Sequence, residues 1–159
     1  MSALRIEPAD PQGPAALALL AEAATEARAV YPESFRQGSA EPANGPTPPG
    51  GVYLLAWEGE RCVASGALRP IDARTVEIRR MFVTAGRRRQ GLASAMLAAL
   101  ERHAVELGYT QLRLETGDRQ PHAIALYAGR GFVRIPPFGQ HANDPTSVCF
   151  EKACAPPAE

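Results

Sequence analysis

The apolar positions of the chain divide it into short, well-punctuated segments. Leu4 and Ile6 alternate with charged neighbours, which predicts a strand over residues 3–8. Pro11, Gly13 and Pro14 break the chain, and Pro14 suits the first residue of a helix. Leu17, Leu20, Ala21, Ala24 and Tyr31 then fall at helical spacing, until Pro32 ends the run. Residues 33–51 are rich in proline and glycine, so a long loop is expected, with one helical turn near Ser34. Such a loop is either a substrate wall or lid, or a disordered insertion. Three β-type segments follow at 52–57, 62–68 and 75–83, joined by turns at Glu58-Gly59-Glu60 and 69–74. After a basic turn at 86–89, a helix is predicted over 90–107. Its apolar stripe is Ala93, Met96, Leu97, Leu100, Ala104 and Leu107, and Gly108 closes it. A strand at 112–116 leads to a helix opened by Pro121, with Ile124, Tyr127, Ala128 and Gly131 on one face. Short strands at 132–135 and 147–151 flank a Pro/Gly loop. The tail 155–159 is expected to fray.

The order β-α-βββ-α-β-α-ββ defines an α/β domain with a mixed central sheet flanked by helices. The strand at 112–116 should lie parallel to the one at 75–83, because a helix connects them. With 159 residues, one domain over 1–154 is expected, with 155–159 a flexible tail. Seventeen basic and seventeen acidic residues leave no net charge, which argues against a protein held to nucleic acid by its overall field. No apolar run approaches the ~20 residues of a membrane helix. Glu7 and Asp10 precede any apolar stretch, so no secretory signal is read. Three cysteines without metal-ligand spacing give neither a disulfide framework nor a zinc site, so no metal is expected and a cytoplasmic setting is the default.

The most informative segment is Arg88-Arg89-Gln90-Gly91-Leu92-Ala93, placed between a strand and a helix start. A tight glycine-bearing turn there gathers main-chain N–H groups and the positive helix end at one point, which suits a phosphate. Gly91, lacking a Cβ, lets backbone and ligand approach closely, and Ala93 is small. Taken singly, the arginines read equally well as a solvated basic turn or a nucleic-acid patch. Their placement between strand and helix favours the phosphate.

This segment resembles the Arg/Gln-x-x-Gly-x-Gly/Ala fingerprint of the GCN5-related N-acetyltransferases. The preceding Glu77-Ile78-Arg79-Arg80-Met81-Phe82-Val83 resembles that family's central strand. Ala123-Ile124-Ala125-Leu126-Tyr127-Ala128-Gly129-Arg130-Gly131-Phe132 is similar to its second signature. The resemblance implies the acyl-CoA N-acyltransferase fold, acetyl-CoA as cosubstrate and direct transfer of acetyl to an amine. It places the cofactor on Met81, Phe82, Val83, Arg88, Arg89, Gln90, Gly91, Leu92, Ala93, Ser94, Gln120 and Tyr127. Gln120 stands where many relatives have Asn. Tyr127 is implied as the acid that protonates the leaving thiolate, against the plainer reading of a buried packing tyrosine. Glu77 is implied as the base, against a salt-bridged strand carboxylate.

Strand alternation predicts that Glu77, Arg79, Met81 and Val83 share one side. Arg79, Arg80, Glu115 and Thr116 are candidates for the acceptor pocket, where one of the arginines could meet a substrate carboxylate, although cross-strand pairing explains both arginines as well. The loop 136–144 could shape the same pocket or be an ordinary connection. His103, His122 and His141 look scattered. The reading is therefore a cytoplasmic N-acetyltransferase acting on a small-molecule amine, with no nucleic-acid or membrane partner; homodimers are common among such relatives. Two alternatives stay open: a non-catalytic acyl-CoA-binding sensor, and a protein or peptide N-acetyltransferase.

Overall fold

The computed structural model describes residues 3–35 and 42–154. Part of the expected 33–51 loop and the whole 155–159 tail therefore lie outside the described residues. The elements follow the expected order: β1 (Leu4–Pro8), α1 (Pro14–Val30), β2 (Val52–Glu58), β3 (Arg61–Pro70), β4 (Thr75–Val83), α2 (Leu92–Glu106), β5 (Gln111–Gly117), α3 (Pro121–Gly129), β6 (Val133–Ile135) and β7 (Ser147–Ala153). The turn expected near Ser34 is a single 3₁₀ turn over Pro32–Phe35.

Seven strands form one sheet in the order β1-β2-β3-β4-β5-β7-β6. Neighbours are antiparallel except β4 and β5, which run parallel. Strand alternation divides the apolar residues between two cores. Leu54, Val76, Ile78, Leu112, Leu114, Val148 and Phe150 pack with α2 and α3, joined by Met96, Leu97, Leu100, Tyr127 and Phe132. On the opposite face Tyr53, Leu55 and Ala67 pack against Ala16 and Leu19 of α1, with Phe82 at the edge. Helix α2 crosses β3 over Gly66, where a Cβ would come 2.8 Å from Met96 Cγ and 2.9 Å from Leu100 Cδ1.

Two stripes differ from the sequence reading. In α1 the core residues are Ala16, Leu19 and Ala24, whereas Leu17 is exposed. A helix so rich in alanine and leucine carries apolar surface all round, so its periodicity does not fix which side faces inward. In α2, Met96, Leu97, Leu100 and Ala104 are fully buried as expected. Leu107 is instead the residue that caps the helix end, and it is exposed.

Candidate active site

The parallel pair opens partway along its length. Pairing of β4 with β5 runs from Thr75↔Gln111 to Ile78↔Leu114 and then stops. Beyond that point Arg79–Val83 and Glu115–Gly117 diverge, leaving backbone groups of both strands without a strand partner on the facing edges. On its other side β4 pairs with β3, and the register jumps between Ala67↔Arg79 and Ser65↔Phe82. Arg80 and Met81 together oppose Gly66, which makes a β-bulge. Arg80 sits in the left-handed region at φ 57°, a conformation that costs a non-glycine residue about 1–2 kcal/mol. The buried Ser65 holds it there: Ser65 Oγ donates to the Arg80 carbonyl at 2.7 Å.

The bulge corrects the expected alternation. Met81 and Val83 lie with Val76 and Ile78 on the α2/α3 side, while Phe82 packs on the α1 side. Glu77 and Arg79 are thus on the face opposite Met81 and Val83, because the extra residue at Arg80 reverses the phase of everything after it.

The turn after β4 is held from α1. Glu22 accepts from Thr84 Oγ1 at 2.8 Å, and Glu26, one helical turn later, holds the Arg88 guanidinium at 2.7 and 2.8 Å. Arg88 Nε also donates to Val83 O at 2.9 Å, and its guanidinium lies 5.3 Å from the Phe82 ring. Arg88, expected on the phosphate through its charge, is therefore occupied in bracing the turn. Arg87 is likewise held, 2.9 Å from Glu58. Arg89 faces α3, with Nη2 3.2 Å from His122 Nε2. Gly91 caps α2 at φ 81°, ψ 6°, with no side-chain bond at the cap. The first amide to enter the helical ladder is Ala95, on Gly91 O at 3.0 Å. The N–H groups of Leu92, Ala93 and Ser94 therefore point outward unpaired. A Cβ on Gly91 would meet no atom within 4 Å, so the space before these amides is open. Unpaired amides facing open space at a helix N-terminus are able to accept an anion.

A cleft of about 900 Å³ runs from this turn along the opened strands. Met81, Phe82, Val83, Arg88, Arg89, Gly91, Leu92, Ala93, Ser94, Gln120 and Tyr127 line it, as do Arg79, Arg80, Glu115 and Thr116. Of the expected cofactor residues only Gln90 stays outside, exposed at the surface. Part of α1 forms the far wall through Leu20, Ala23 and Ala27. The end of α1 is fastened to the β5–α3 turn: Tyr31 Oη accepts from Arg119 N at 2.7 Å, and Arg119 meets Glu33 at 2.6 Å.

Tyr127 faces the cleft from α3. Its ring packs edge-on to Phe132 at 5.8 Å and lies 6.0 Å from Phe150. Its hydroxyl donates to no group among the described residues. Burial pushes its pKa up to about 12, so it remains a phenol throughout the neutral range.

Glu77 does not line the cleft. It lies buried under the turn Gly139–His141, in contact with His141 Nε2 at 3.0 Å. His141 Nδ1 is 3.7 Å from Glu115, which accepts from Ser147 Oγ at 2.6 Å and does line the cleft. His141 joins the two strand carboxylates, a role the sequence reading missed. The only signal in the sequence was its place in the 136–144 loop. Phe138 of that loop packs edge-on to the His141 ring and lies against the Arg113 guanidinium on the same sheet face. No cluster of three His, Cys, Asp or Glu side chains suited to a metal ion occurs among the described residues. No helix among them is long and apolar enough to cross a membrane.

The parallel strand pair thus parts beside the N-terminus of α2 and its unpaired amides. Comparison with known proteins makes this specific. The model of the acetyltransferase (GNAT) family matches residues 17–132. The chain is 35% identical over 123 residues to the uncharacterized N-acetyltransferase YsnE of Bacillus subtilis, covering 76% of this chain and 80% of that one. It is 40% identical over 101 residues to an IAA acetyltransferase of Azospirillum brasilense, covering 63% and 66%. Among solved structures, an acyl-CoA N-acyltransferase assignment from Klebsiella pneumoniae superposes with a TM-score of 0.78 at 28% identity, covering 96% and 98%. A GNAT acetyltransferase from Elizabethkingia anophelis with acetyl-CoA bound shares the fold, with a TM-score of 0.68 at 20% identity and coverage of 94% and 97%. The chain belongs to the acetyltransferase (GNAT) family and uses an acyl-CoA.

Proposed function

We propose that the protein transfers acetyl from acetyl-CoA directly to the amine of a small molecule. The observation that carries this reading is the single cleft joining the α2 cradle to the open edge of β4. Acetyl-CoA supplies an already activated carbonyl. The amides of Leu92, Ala93 and Ser94 hold its diphosphate, and the edge of β4 from Met81 to Val83 takes up the pantetheine arm. An N–H beside the bulge at Met81 stabilises the negative charge that develops on the carbonyl oxygen. The new N–C bond forms as the C–S bond breaks; the amine gives up a proton and the sulfur gains one. Tyr127, fully protonated, gives that second proton. The first leaves through Glu115, with His141 and Glu77 behind it. Glu77 thus serves as the inner end of a relay and does not touch the amine. The whole described chain acts as one domain in this reading, working in the cytoplasm.

A small acceptor is favoured over a peptide because the α1 end is tied down across the cleft by Tyr31, Glu33 and Arg119, which narrows it for an extended chain. The test is calorimetry with acetyl-CoA followed by a free-thiol assay over a broad panel of amines. Micromolar binding with turnover of a small amine supports the reading. Tight binding with no turnover on any amine favours the sensor, and turnover on peptides alone favours a protein acetyltransferase.

A further inference from the structure

A second, smaller pocket of about 270 Å³ opens beside the cleft on the α1 face of the sheet. The two share Tyr53, Arg79 and Arg80 as walls. The segment Asn44–Pro48 frames its outer side, and Arg69 completes it. Three arginines therefore line one small space.

Their charge is incompletely answered. Arg80 donates from Nε to Asn44 Oδ1 at 2.8 Å and from Nη2 to Ala43 O at 3.0 Å, both neutral acceptors. Arg69 and Arg79 share Glu77, at 3.9 and 3.5 Å, distances at which neither makes a hydrogen bond to it. Glu77 already accepts a closer contact from His141. Arg79 Nη1 is buried with no hydrogen-bond partner. Burial and then the neighbouring Arg79 charge push the Arg80 guanidinium below its ordinary pKa. Three cations thus share one carboxylate, an arrangement that an added anion would balance.

We infer that the acceptor is an amine that also carries a carboxylate, and that this carboxylate is held in the side pocket by Arg80, Arg79 and Arg69. The inference rests on the transferase reading and names the substrate class for it. Arg79 and Arg80 line both the cleft and the side pocket, so an acceptor whose anion is held here can extend its amine into the cleft. The planar fork of arginine matches a carboxylate with two parallel bonds. The same charges repel polyamines and other polycationic acceptors.

The test compares α-, β- and γ-amino acids with their carboxamides, their aminoalkylphosphonate counterparts and a polyamine, with rates expressed per free amine. At least tenfold higher kcat/KM for the acids than for the amides is expected, carried by KM. Arg80→Gln and the more exposed Arg69→Gln should bring that ratio toward one. Equal rates for acids and amides, or a best rate with the polyamine, would overturn the proposal; a preference for phosphonates would overturn the carboxylate assignment. A second readout needs no turnover: calorimetry of N-acetylated amino acids and their amides, with CoA present. Binding of the acid at least tenfold tighter, lost in both variants, supports the pocket even if no amine is acetylated, in which case only the transferase reading fails. Equal binding of acid and amide overturns the pocket.

Discussion

Ser65→Ala tests the bulge on which the site depends. Ser65 is 3% exposed, and its hydroxyl donates to the Arg80 carbonyl at 2.7 Å. Its removal leaves a carbonyl at a strained residue without that donor, which costs about 1–3 kcal/mol. Almost no side-chain volume is lost, so a cavity adds little. For a chain of this size each kcal/mol lowers Tm by roughly 2–4 °C. The strain at Arg80 gives the bulge a reason to relax once Ser65 no longer holds it, and relaxation moves Met81 relative to the open edge. Thermal and urea unfolding measure the first effect. Acetyl-CoA affinity well below Tm, where the variant is folded, measures the second, and a several-fold weakening is expected. A Tm within about 1 °C of wild type, together with unchanged affinity, would refute the reasoning: cleft water would then serve the carbonyl as well as Ser65 does.

Gly91→Ala should weaken acetyl-CoA binding by roughly tenfold, because φ 81° costs an alanine about 1–2 kcal/mol and the new methyl enters the open space before the α2 amides; calorimetry reads it, and equal affinity would remove the cradle. Tyr127→Phe should lower kcat at least about tenfold with little change in acetyl-CoA affinity, and an unaltered rate would reduce Tyr127 to packing. Tyr127 also sets a stability limb at high pH. Its folded pKa of about 12 exceeds the unfolded value near 10, so its contribution is complete below pH ~10 and is lost as pH rises toward 12, by up to roughly 3 kcal/mol. Denaturation at pH 8 and pH 11 should show Tyr127→Phe gaining on wild type at the higher pH, and parallel losses would contradict the burial cause. His141→Gln should cut kcat about tenfold or more while KM for acetyl-CoA holds; a kcat like wild type would show that protons leave by another path.

Much of the molecule was legible in the sequence because the signals are local. Strand alternation, the stripe of Met96, Leu97, Leu100 and Ala104, the stops at Pro32 and Gly108, and the turn around Gly91 each depend on residues a few positions apart. Their order alone determined the mixed sheet and the parallel β4–β5 pair. The turn over 88–94 was legible for the same reason: it makes a helix start with its own chain.

Tertiary structure decided what needed a second segment. The bulge at Arg80 depends on Ser65 from the neighbouring strand, and it alone put Glu77 and Arg79 on the face opposite Met81. The commitment of Arg88 to Glu26 depends on α1 docking beside the turn. His141 reached Glu77 and Glu115 only because a loop folded across two strands. Which side of α1 faces inward was also settled by packing, since alanine and leucine surround that helix. Charge and hydrogen-bond partners are set by distance in space, and a linear pattern records spacing along the chain. The sequence therefore specified the scaffold of the cleft, and packing decided which charged side chains brace the turn and which meet one another across the strands.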